Sequence, residues 1–397
     1  MLTLKNFRYE VPTAIEFGPG TIQKLSQFVR ELGGTNVLIV GDPGVLHAGI
    51  IKRLEEPLES AFIPYTTFTE VGVEASIESV DKGIELAKIK GSDIVVGVGG
   101  GSALDIAKAI GLMLKNSGNI RDYVGIDLVP HPGAPVIAVP TTAGTGSEMT
   151  RFSVLSDTAA KAKLSVGSMY NCPALAVCDP ELTVTLPPNM TAATGMDALT
   201  HALESYVNKA TQPISEALSI QAMRLIAENL RIAVVQGENI EARHNMLLAS
   251  TVAAMAFNTT RLGLAHALAI PLGAFFKIPH GVVNAILLPE VMEFNIIGNT
   301  RKFAEIARIF GENTEGLTER EAAECAVKAI RRLNNDIGIT QTLSDYGVEE
   351  EHLEFIVEEA MLSGNVPVNP VKPTKEDLEN ICRALMRTEV NEKVLNL

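Results

Sequence analysis

The stretch IVVGVGGGSALDIAKAIGLML, residues 94–114, decides the fold of this 397-residue chain. Residues 94–98 predict a buried strand, and residues 103–114 predict the helix that follows it. The glycines at 99–101 let the backbone approach a ligand closely, and the free N–H groups at the start of the helix would stabilise a pyrophosphate there. A tight turn without a ligand is the alternative interpretation, because the run lacks the GxGxxG spacing.

Strand and helix patterns alternate on both sides of this stretch. Such alternation indicates βαβ units and a parallel sheet that is covered on both faces. We therefore predict an α/β, Rossmann-like N-terminal domain over residues 1–186. The further predicted strands are 36–40, 61–68 and 136–139, and the further predicted helices are 48–58 and 77–90.

The strand patterns stop at Pro187 and Pro188, and helical periodicity dominates from there onward. Proline pairs are natural boundaries because proline continues neither a helix nor a strand. We therefore predict an all-α C-terminal domain over residues 187–397. The predicted helices are 192–208, 215–235, 240–257, 301–310, 319–334, 349–362 and 375–387.

Two further segments favour a dinucleotide as the ligand. The sequence PTTAGTGSE, residues 140–148, follows the strand 136–139 and brings a second glycine loop to the same edge of the sheet. Asp42 follows the strand 36–40, where a carboxylate can bind an adenosine ribose and repel a 2′-phosphate. Aspartate is also a common turn residue. On balance we expect NAD rather than NADP.

One carboxylate and three histidines of the helical half have the chemistry of metal ligands. Asp197 and His201 are four residues apart, so they share one face of a helix. His266 and His280 lie fourteen residues apart in apolar sequence. Such a set suits Fe²⁺, Zn²⁺ or a similar ion and leaves room for a substrate oxygen. Taken singly, such histidines are more often core residues than ligands, so the spacing alone does not assign a metal.

The composition narrows the class of protein. Hydrophobic residues make up 46% and charged residues 20%, and 397 residues are enough for two folded domains. The net charge of −14 disfavours nucleic acid as a partner. Residues 1–10 lack a secretory pattern, and charges and glycines interrupt the most apolar window, 94–114. We therefore expect no membrane segment and a cytoplasmic location.

Together the motifs resemble those of the iron-containing (group III) alcohol dehydrogenases. They occur in one order along essentially the whole chain, which makes the set far more specific than any single motif. The family fold, which is dehydroquinate synthase-like, implies a Rossmann-like domain and a helical domain with the active site between them. The motifs are Gly99-Gly100-Gly101-Ser102-x-x-Asp105-x-x-Lys108, Pro140-Thr141-Thr142-x-Gly144-Thr145-x-Ser147-Glu148, Gly195-Met196-Asp197-x-x-x-His201-x-x-Glu204, Gly263-Leu264-x-His266, Pro279-His280-Gly281 and Asn369-Pro370.

The resemblance implies an NAD(P)-dependent alcohol dehydrogenase or aldehyde reductase that acts on a small primary alcohol or aldehyde as a homodimer or larger oligomer. It implies that Asp197, His201, His266 and His280 bind one iron or zinc ion and act in catalysis through that metal. A divalent cation acidifies an alcohol oxygen, which favours hydride transfer to the nicotinamide. The predicted cofactor contacts are Asp42, Gly99, Gly100, Gly101, Ser102, Asp105, Thr141, Thr142, Thr150, Val154 and Lys163.

The chain departs from the family pattern near the predicted substrate pocket, which comprises Phe257, Arg261, Leu262 and Ile270. Ile270 stands where most relatives have a histidine, which puts the usual proton route in doubt. Arg261 could pair with a carboxylate, phosphonate or sulfonate on a short aldehyde. An arginine directed at solvent or at a neighbouring acid is the favoured alternative. Nothing in the sequence explains Val371, where relatives tend to have arginine.

Two other functions fit the same motifs. A metal- and NAD-dependent lyase similar to dehydroquinate synthase would need a basic pocket for a phosphorylated polyol, and few Lys or Arg residues lie near the metal motifs. A redox-inactive binding protein would not need four ligand residues in register. The sequence therefore favours the oxidoreductase and leaves its alcohol, its direction and its metal open.

Overall fold

The computed structural model describes residues 6–157 and 162–386. Its contacts form two compact units. One unit contains residues 10–186 together with 237–258, and the other contains residues 6–9, 187–236 and 259–386. The predicted end of one helix, Arg387, lies outside the described residues.

A six-stranded parallel sheet forms the centre of the first unit, in the order β1-β9-β6-β4-β2-β3. Alternate residues of its strands point to opposite faces. Leu38 and Val95 therefore pack into one hydrophobic cluster, whereas Val37 and Ile94 pack into another. This arrangement confirms the predicted α/β fold. The strands are β1 (Ala14–Phe17), β2 (Val37–Gly41), β3 (Tyr65–Phe68), β4 (Ile94–Gly99), β5 (Gly125–Ile126), β6 (Val136–Pro140), β7 (Phe152–Asp157), β8 (Ala162–Gly167) and β9 (Leu175–Cys178).

Helices cover the sheet and build the region after Pro187. In residues 187–386 the structure has helices and no strand, which confirms the predicted helical C-terminal region. The helices are α1 (Leu25–Glu31), α2 (Pro43–His47), α3 (Ile50–Ser60), α4 (Ile77–Lys90), α5 (Gly101–Met113), α6 (Pro188–Val207), α7 (Pro213–Val235), α8 (Ile240–Thr260), α9 (Leu264–Phe276), α10 (His280–Asn295), α11 (Thr300–Ile309), α12 (Glu319–Asp336), α13 (Leu353–Met361) and α14 (Lys375–Ala384).

Local backbone geometry explains where the predicted bounds differ from the observed ones. The predicted helix 48–58 begins only at Ile50, because Gly49 adopts a left-handed conformation with φ 73° and separates α3 from the short helix α2 before it. The predicted strand 61–68 begins only at Tyr65, since Phe62 has φ 57°. The sequence did not predict the small sheet β5-β8-β7, in which β7 and β8 pair antiparallel.

One helical stretch, His280–Gly298, is long and apolar enough to cross a membrane by length and composition alone. Within this stretch, 61% of the most apolar window is buried inside the fold. A core helix of a globular protein has this character. The same stretch begins with His280, one of the four predicted metal ligands.

Candidate metal centre and cofactor loops

The four predicted metal ligands converge from three helices. Asp197 and His201 lie one turn apart on α6, His266 lies in the first turn of α9, and His280 is the first residue of α10. One potential ligand atom of each residue lies within 4.8 Å of those of the other three. The four residues are up to 83 positions apart in sequence, yet each directs one ligand atom toward a common point.

The spacing of these atoms suits a bound ion. Asp197 Oδ1 lies 3.4 Å from His280 Nε2, 3.7 Å from His266 Nε2 and 3.9 Å from His201 Nε2. In a tetrahedral site with bonds of about 2.1 Å, neighbouring ligand atoms are about 3.4 Å apart. The donor set, one carboxylate and three imidazoles, therefore fits a first-row divalent cation such as Fe²⁺ or Zn²⁺.

Small residues allow the three helices to bring these side chains together. A β-carbon at Gly281 would collide with the carbonyl oxygen of Ala193, so α10 starts in close contact with α6, one turn before Asp197. A β-carbon at Gly263 would lie 2.8 Å from Glu204 Oε1. Glycine at these two positions is therefore required for the histidines to reach the cluster.

Burial and charge are unevenly distributed over the cluster. The residues Asp197, His201 and His266 are buried, whereas the side chain of His280 is 46% exposed. Burial alone would raise the pKa of Asp197, but the charges of His201 and His280 hold that pKa well below its usual range. Burial alone would lower the pKa of His266, but Glu204 and Asp197 raise it to about 9. The cluster is thus a largely buried site in which the Asp197 carboxylate faces three imidazoles, with one open side at His280.

Two residues beside the cluster were not predicted from the sequence to be functional. Glu204 accepts a hydrogen bond from His266 Nδ1 at 2.7 Å, and Asn284 Nδ2 donates to Asp197 Oδ1 at 2.8 Å. Glu204 lies three residues after His201 and Asn284 four residues after His280, which are same-face spacings on a helix. That spacing was the available indication of their role.

The two glycine loops meet at the carboxyl ends of β4 and β6, which pair directly. The backbone N–H of Thr141 donates to the Gly99 carbonyl at 3.0 Å. Gly99 has φ 145°, a conformation that favours glycine, and a β-carbon at Gly101 would lie 2.9 Å from Thr145 Oγ1. Gly100 precedes the first residue of α5, where free N–H groups favour an anion.

The two carboxylate oxygens of Asp42 face different groups. Its Oδ1 accepts hydrogen bonds from the N–H groups of Gly44 and Val45 and so caps α2. Its other oxygen lies beside the glycine loop, since a β-carbon at Gly99 would be 3.1 Å from Asp42 Oδ2. The turn interpretation and the ribose interpretation of the sequence are therefore compatible, because each uses a different oxygen.

Several predicted cofactor residues act on the loops rather than on an open surface. Lys108 is fully buried, and its Nζ lies 3.1 Å from Ser147 O, 3.2 Å from Thr150 Oγ1 and 3.0 Å from Asp105 Oδ1. Asp105 also accepts from the N–H of Val154 at 2.9 Å. These contacts tie α5 to the segment that follows β6. Asp105 and Thr150 therefore hold the loop in shape.

The remaining predicted contacts lie at the margins of the loops. Ser102 Oγ donates to the carbonyl of Val73 at 2.9 Å. Thr142 lies beside Gly100, since a β-carbon there would be 3.5 Å from the Thr142 side chain. Lys163 Nζ lies 3.4 Å from Glu74 Oε1, which helps to hold the pKa of Glu74 below its ordinary value despite burial.

The predicted substrate-pocket residues do not all belong to the same unit. Phe257 packs in the unit that holds the sheet, against the core cluster of Met149 and Ala254. Arg261, Leu262 and Ile270 belong to the unit that holds the metal cluster. Ile270 is 46% exposed on α9, so this position presents an apolar surface and no proton carrier.

Arg261 has an unusual conformation. Its backbone is left-handed, with φ 64°, and its carbonyl accepts hydrogen bonds from Asn208 Nδ2 at 3.0 Å and Thr260 Oγ1 at 2.8 Å. Its guanidinium lies against Gly364, where it occupies the place that a β-carbon would take. Among residues 6–157 and 162–386, no carboxylate forms an ion pair with it.

The chain matches two family models that together span almost all of it. The model described as iron-containing alcohol dehydrogenase matches residues 12–180, and that of the C-terminal part of the Fe-containing alcohol dehydrogenase family matches residues 191–386. Both halves of the chain are therefore recognised by the same family, in the order that the family has.

Individual relatives agree with the family models. The 1,3-propanediol dehydrogenase of Citrobacter freundii is 43% identical over 96% of this chain and 99% of its own length. The NAD-dependent methanol dehydrogenase of Bacillus methanolicus is 39% identical over 94% of this chain and 98% of its own length. The crystal structure of sulfoacetaldehyde reductase from Bifidobacterium kashiwanohense in complex with NAD⁺ is similar with a TM-score of 0.88 and 31% identity, covering 97% of this chain and 100% of that one.

Proposed function

The chain belongs to the iron-containing alcohol dehydrogenase family and is an alcohol dehydrogenase or aldehyde reductase, and we propose that it uses a divalent metal to transfer hydride between NAD(H) and a small primary alcohol or aldehyde. The observation that carries this proposal is the convergence of four ligand atoms within 4.8 Å. The relatives named above are dehydrogenases and a reductase. Their activities favour hydride exchange with a separate alcohol over the lyase alternative.

Asp197, His201, His266 and His280 would hold the metal. A divalent cation there supplies a Lewis acid that lowers the pKa of an alcohol oxygen and polarises an aldehyde carbonyl. Three of the four residues are buried, which excludes water from most of the cluster, and the exposed His280 marks the side by which a small molecule can approach. Ile270 adds apolar surface on the helix that carries His266.

The cofactor specificity follows from Asp42. We assign to its Oδ2 the hydrogen bonds from the adenosine ribose, because Oδ1 is already used to cap α2. A second negative charge from a 2′-phosphate would be repelled by the same carboxylate. NAD is therefore the expected cofactor, and the relative from Bacillus methanolicus is an NAD-dependent methanol dehydrogenase.

We further propose that the substrate carries an anionic group that pairs with Arg261. A guanidinium without a carboxylate partner in the described part of the chain has donors available for a ligand, and two oxygens of a sulfonate, phosphonate or carboxylate group match its fork. A structurally similar protein is a sulfoacetaldehyde reductase, which fits a short anionic aldehyde. The left-handed backbone supports a functional position, since such strain of about 1 to 3 kcal/mol concentrates at ligand sites.

An aldehyde panel tests the function directly. The enzyme is purified anaerobically with Fe²⁺, and NADH absorbance is followed with neutral and anionic short aldehydes. Net consumption of NADH supports the oxidoreductase. Product formed from a polyol phosphate without net NADH consumption would instead support the lyase. No reaction with any substrate, in protein that contains metal and binds NADH, would support a binding protein without redox activity.

A homodimer or larger oligomer is also proposed. The strand β1 lies at one end of the strand order and pairs with β9 on one side. An edge strand offers free backbone groups to a second chain, and Ile15 on this strand is partly exposed. Light scattering of the purified protein tests the proposal, and a monomer at micromolar concentration would reject it.

A further inference from the structure

Two side chains that do not belong to the ligand set make contact with three of its members. Glu204 lies on α6 and Asn284 on α10. Both are buried. Neither side chain is needed to complete the donor set of one carboxylate and three imidazoles, so their contacts with the cluster require a different explanation.

Glu204 uses both carboxylate oxygens on the start of α9. Oε2 accepts from the N–H of Gly263 at 2.9 Å and from His266 Nδ1 at 2.7 Å, and Oε1 accepts from the N–H of Ala265 at 2.7 Å. In the neutral form of His266 that can bind a metal, a proton on Nδ1 directed at Glu204 leaves the lone pair of Nε2 for the cluster. The same carboxylate therefore fixes the helix start and the orientation of one ligand ring.

Asn284 faces the cluster with its amide nitrogen. Nδ2 lies 2.8 Å from Asp197 Oδ1 and 3.2 Å from the Nε2 atoms of both His266 and His280. An N–H group and a metal ion place the same demand on an acceptor, a lone pair that points toward positive charge. The two N–H groups of this amide, one of them bonded to Asp197, therefore favour the convergent arrangement of the three ligand atoms that an ion needs.

The other end of the same amide shows what fixes its orientation. Asn284 Oδ1 is buried and has no hydrogen-bond partner. An unpaired buried acceptor of this kind destabilises the fold, because it has lost its hydrogen bonds to water and gained none in return. Turning the amide over would place Oδ1 against the Asp197 carboxylate, where two oxygens repel each other. The contact with the cluster therefore decides the orientation, at the expense of the orphaned oxygen.

We infer that Glu204 and Asn284 are positioning residues that arrange Asp197, His266 and His280 before the metal binds, and so determine how tightly the protein retains it. This inference rests on the proposed metal dependence. Partners of this kind typically change metal affinity by about 10- to 100-fold. The predicted effect is therefore on retention of the ion in a protein that still folds.

The test measures Co²⁺ binding to the metal-free full-length protein by chelator competition. We expect Asn284→Leu and Glu204→Gln to raise the Co²⁺ dissociation constant by about 10- to 100-fold. In Glu204→Gln an NH₂ donor must face either the N–H of Ala265 or the donors at Oε2, so this variant loses helix stability as well. Asn284→Leu has no such second role and decides the question if the glutamine variant does not fold.

Asn295→Leu is the matched control. It removes a buried asparagine from the same helix, and the side chain of Asn295 pairs with that of Asn369 rather than with the cluster. We expect this control to keep the wild-type dissociation constant and the wild-type visible absorption of bound Co²⁺, and Asn284→Leu to change both. Unchanged values in Asn284→Leu, or equal losses in Asn284→Leu and Asn295→Leu, would overturn the inference. Failure of the wild-type protein to bind Co²⁺ would instead reject the proposed metal dependence.

Discussion

Two buried charged clusters in this molecule differ in where their cation comes from. Around Lys108, the ammonium group is surrounded by oxygens of Ser147, Thr150 and Phe152 and by the Asp105 carboxylate. Around Asp197, three imidazole nitrogens and a carboxylate converge within 4.8 Å, and no lysine or arginine of the described residues forms an ion pair with that carboxylate.

The difference separates a cluster that stabilises the fold from the cluster that we propose binds the metal. The acceptors around Lys108 already have a cation from the protein itself, so we call this cluster closed. Its contacts stabilise the loop that contains Ser147 and Thr150. A set of acceptors without an internal cation holds lone pairs ready for an ion from solution. Arg261 is the reverse case, a cation that no carboxylate of residues 6–157 and 162–386 pairs with, and by the same reasoning we propose that it binds an anionic group of the substrate.

The largest expected effect is the loss of a ligand from the open cluster. His201→Ala removes one of four donors, and a Lewis acid contributes several kcal/mol to the reaction, so activity should fall by about 1,000-fold. Bound metal, measured by elemental analysis after dialysis, should fall in parallel. The control His131→Ala changes a histidine outside the cluster and should keep both. Full activity in metal-free His201→Ala would contradict the proposal that the Asp197 cluster holds a metal needed for the reaction.

The closed cluster should show its effect on stability. Lys108→Met leaves the Asp105 carboxylate and several carbonyls without their cation, which should lower the free energy of unfolding by about 3 to 5 kcal/mol. Denaturant titration measures the change, with the exposed Lys88→Met as control. A loss below about 1 kcal/mol would mean that the Lys108 contacts add little to the fold.

The unpaired cation should respond only to charged substrates. Arg261→Ala removes charge-assisted hydrogen bonds of about 1.5 to 3 kcal/mol, which raises the KM for an anionic aldehyde by roughly 10- to 100-fold. Neutral aldehydes of the same length should keep their KM. The exposed Arg224→Ala is the control for a lost surface charge. Equal changes for both substrate classes would remove the anion from the proposed function.

The smallest expected effect concerns the cofactor. Asp42→Ser keeps an oxygen that can cap α2 but removes the negative charge beside Gly99. The ratio of kcat/KM for NADPH to that for NADH should rise by about fivefold, because one repulsion of roughly 1 kcal/mol is lost. An unchanged ratio would show that the Asp42 charge does not select the cofactor. Thermal stability should stay near the wild-type value, which separates the two roles of this residue.

The sequence determined the fold class because both of its signals are local. Residues 94–114 contain a strand, three glycines and a helix start in one continuous run, and β4 and α5 follow that pattern closely. Helical periodicity after Pro187 is equally local. The short strands β7 and β8 were not predicted, because their residues have no local strand pattern. They contain mixed polar residues and form strands only by pairing with each other.

The sequence also supplied the candidate ligands but not their assembly. Asp197 and His201 could be paired by helical spacing. His266 and His280 could be linked to them only through the family resemblance, because helix packing at Gly281 and Gly263 decides whether they meet. The structure places all four around one point, and their role as metal ligands stays a prediction.

Tertiary structure alone decided what the buried polar residues do. Asp105 and Lys108 occur in a motif suggestive of ligand contact, yet in the fold they bind the loop. Glu204 and Asn284 are marked in the sequence only by a family motif or by helical spacing, yet in the fold they contact the ligand cluster. The sequence determines which chemical groups the side chains carry. The partner of a buried charge is fixed only when distant segments pack, because desolvation leaves each polar group dependent on whichever group the fold brings within hydrogen-bond distance.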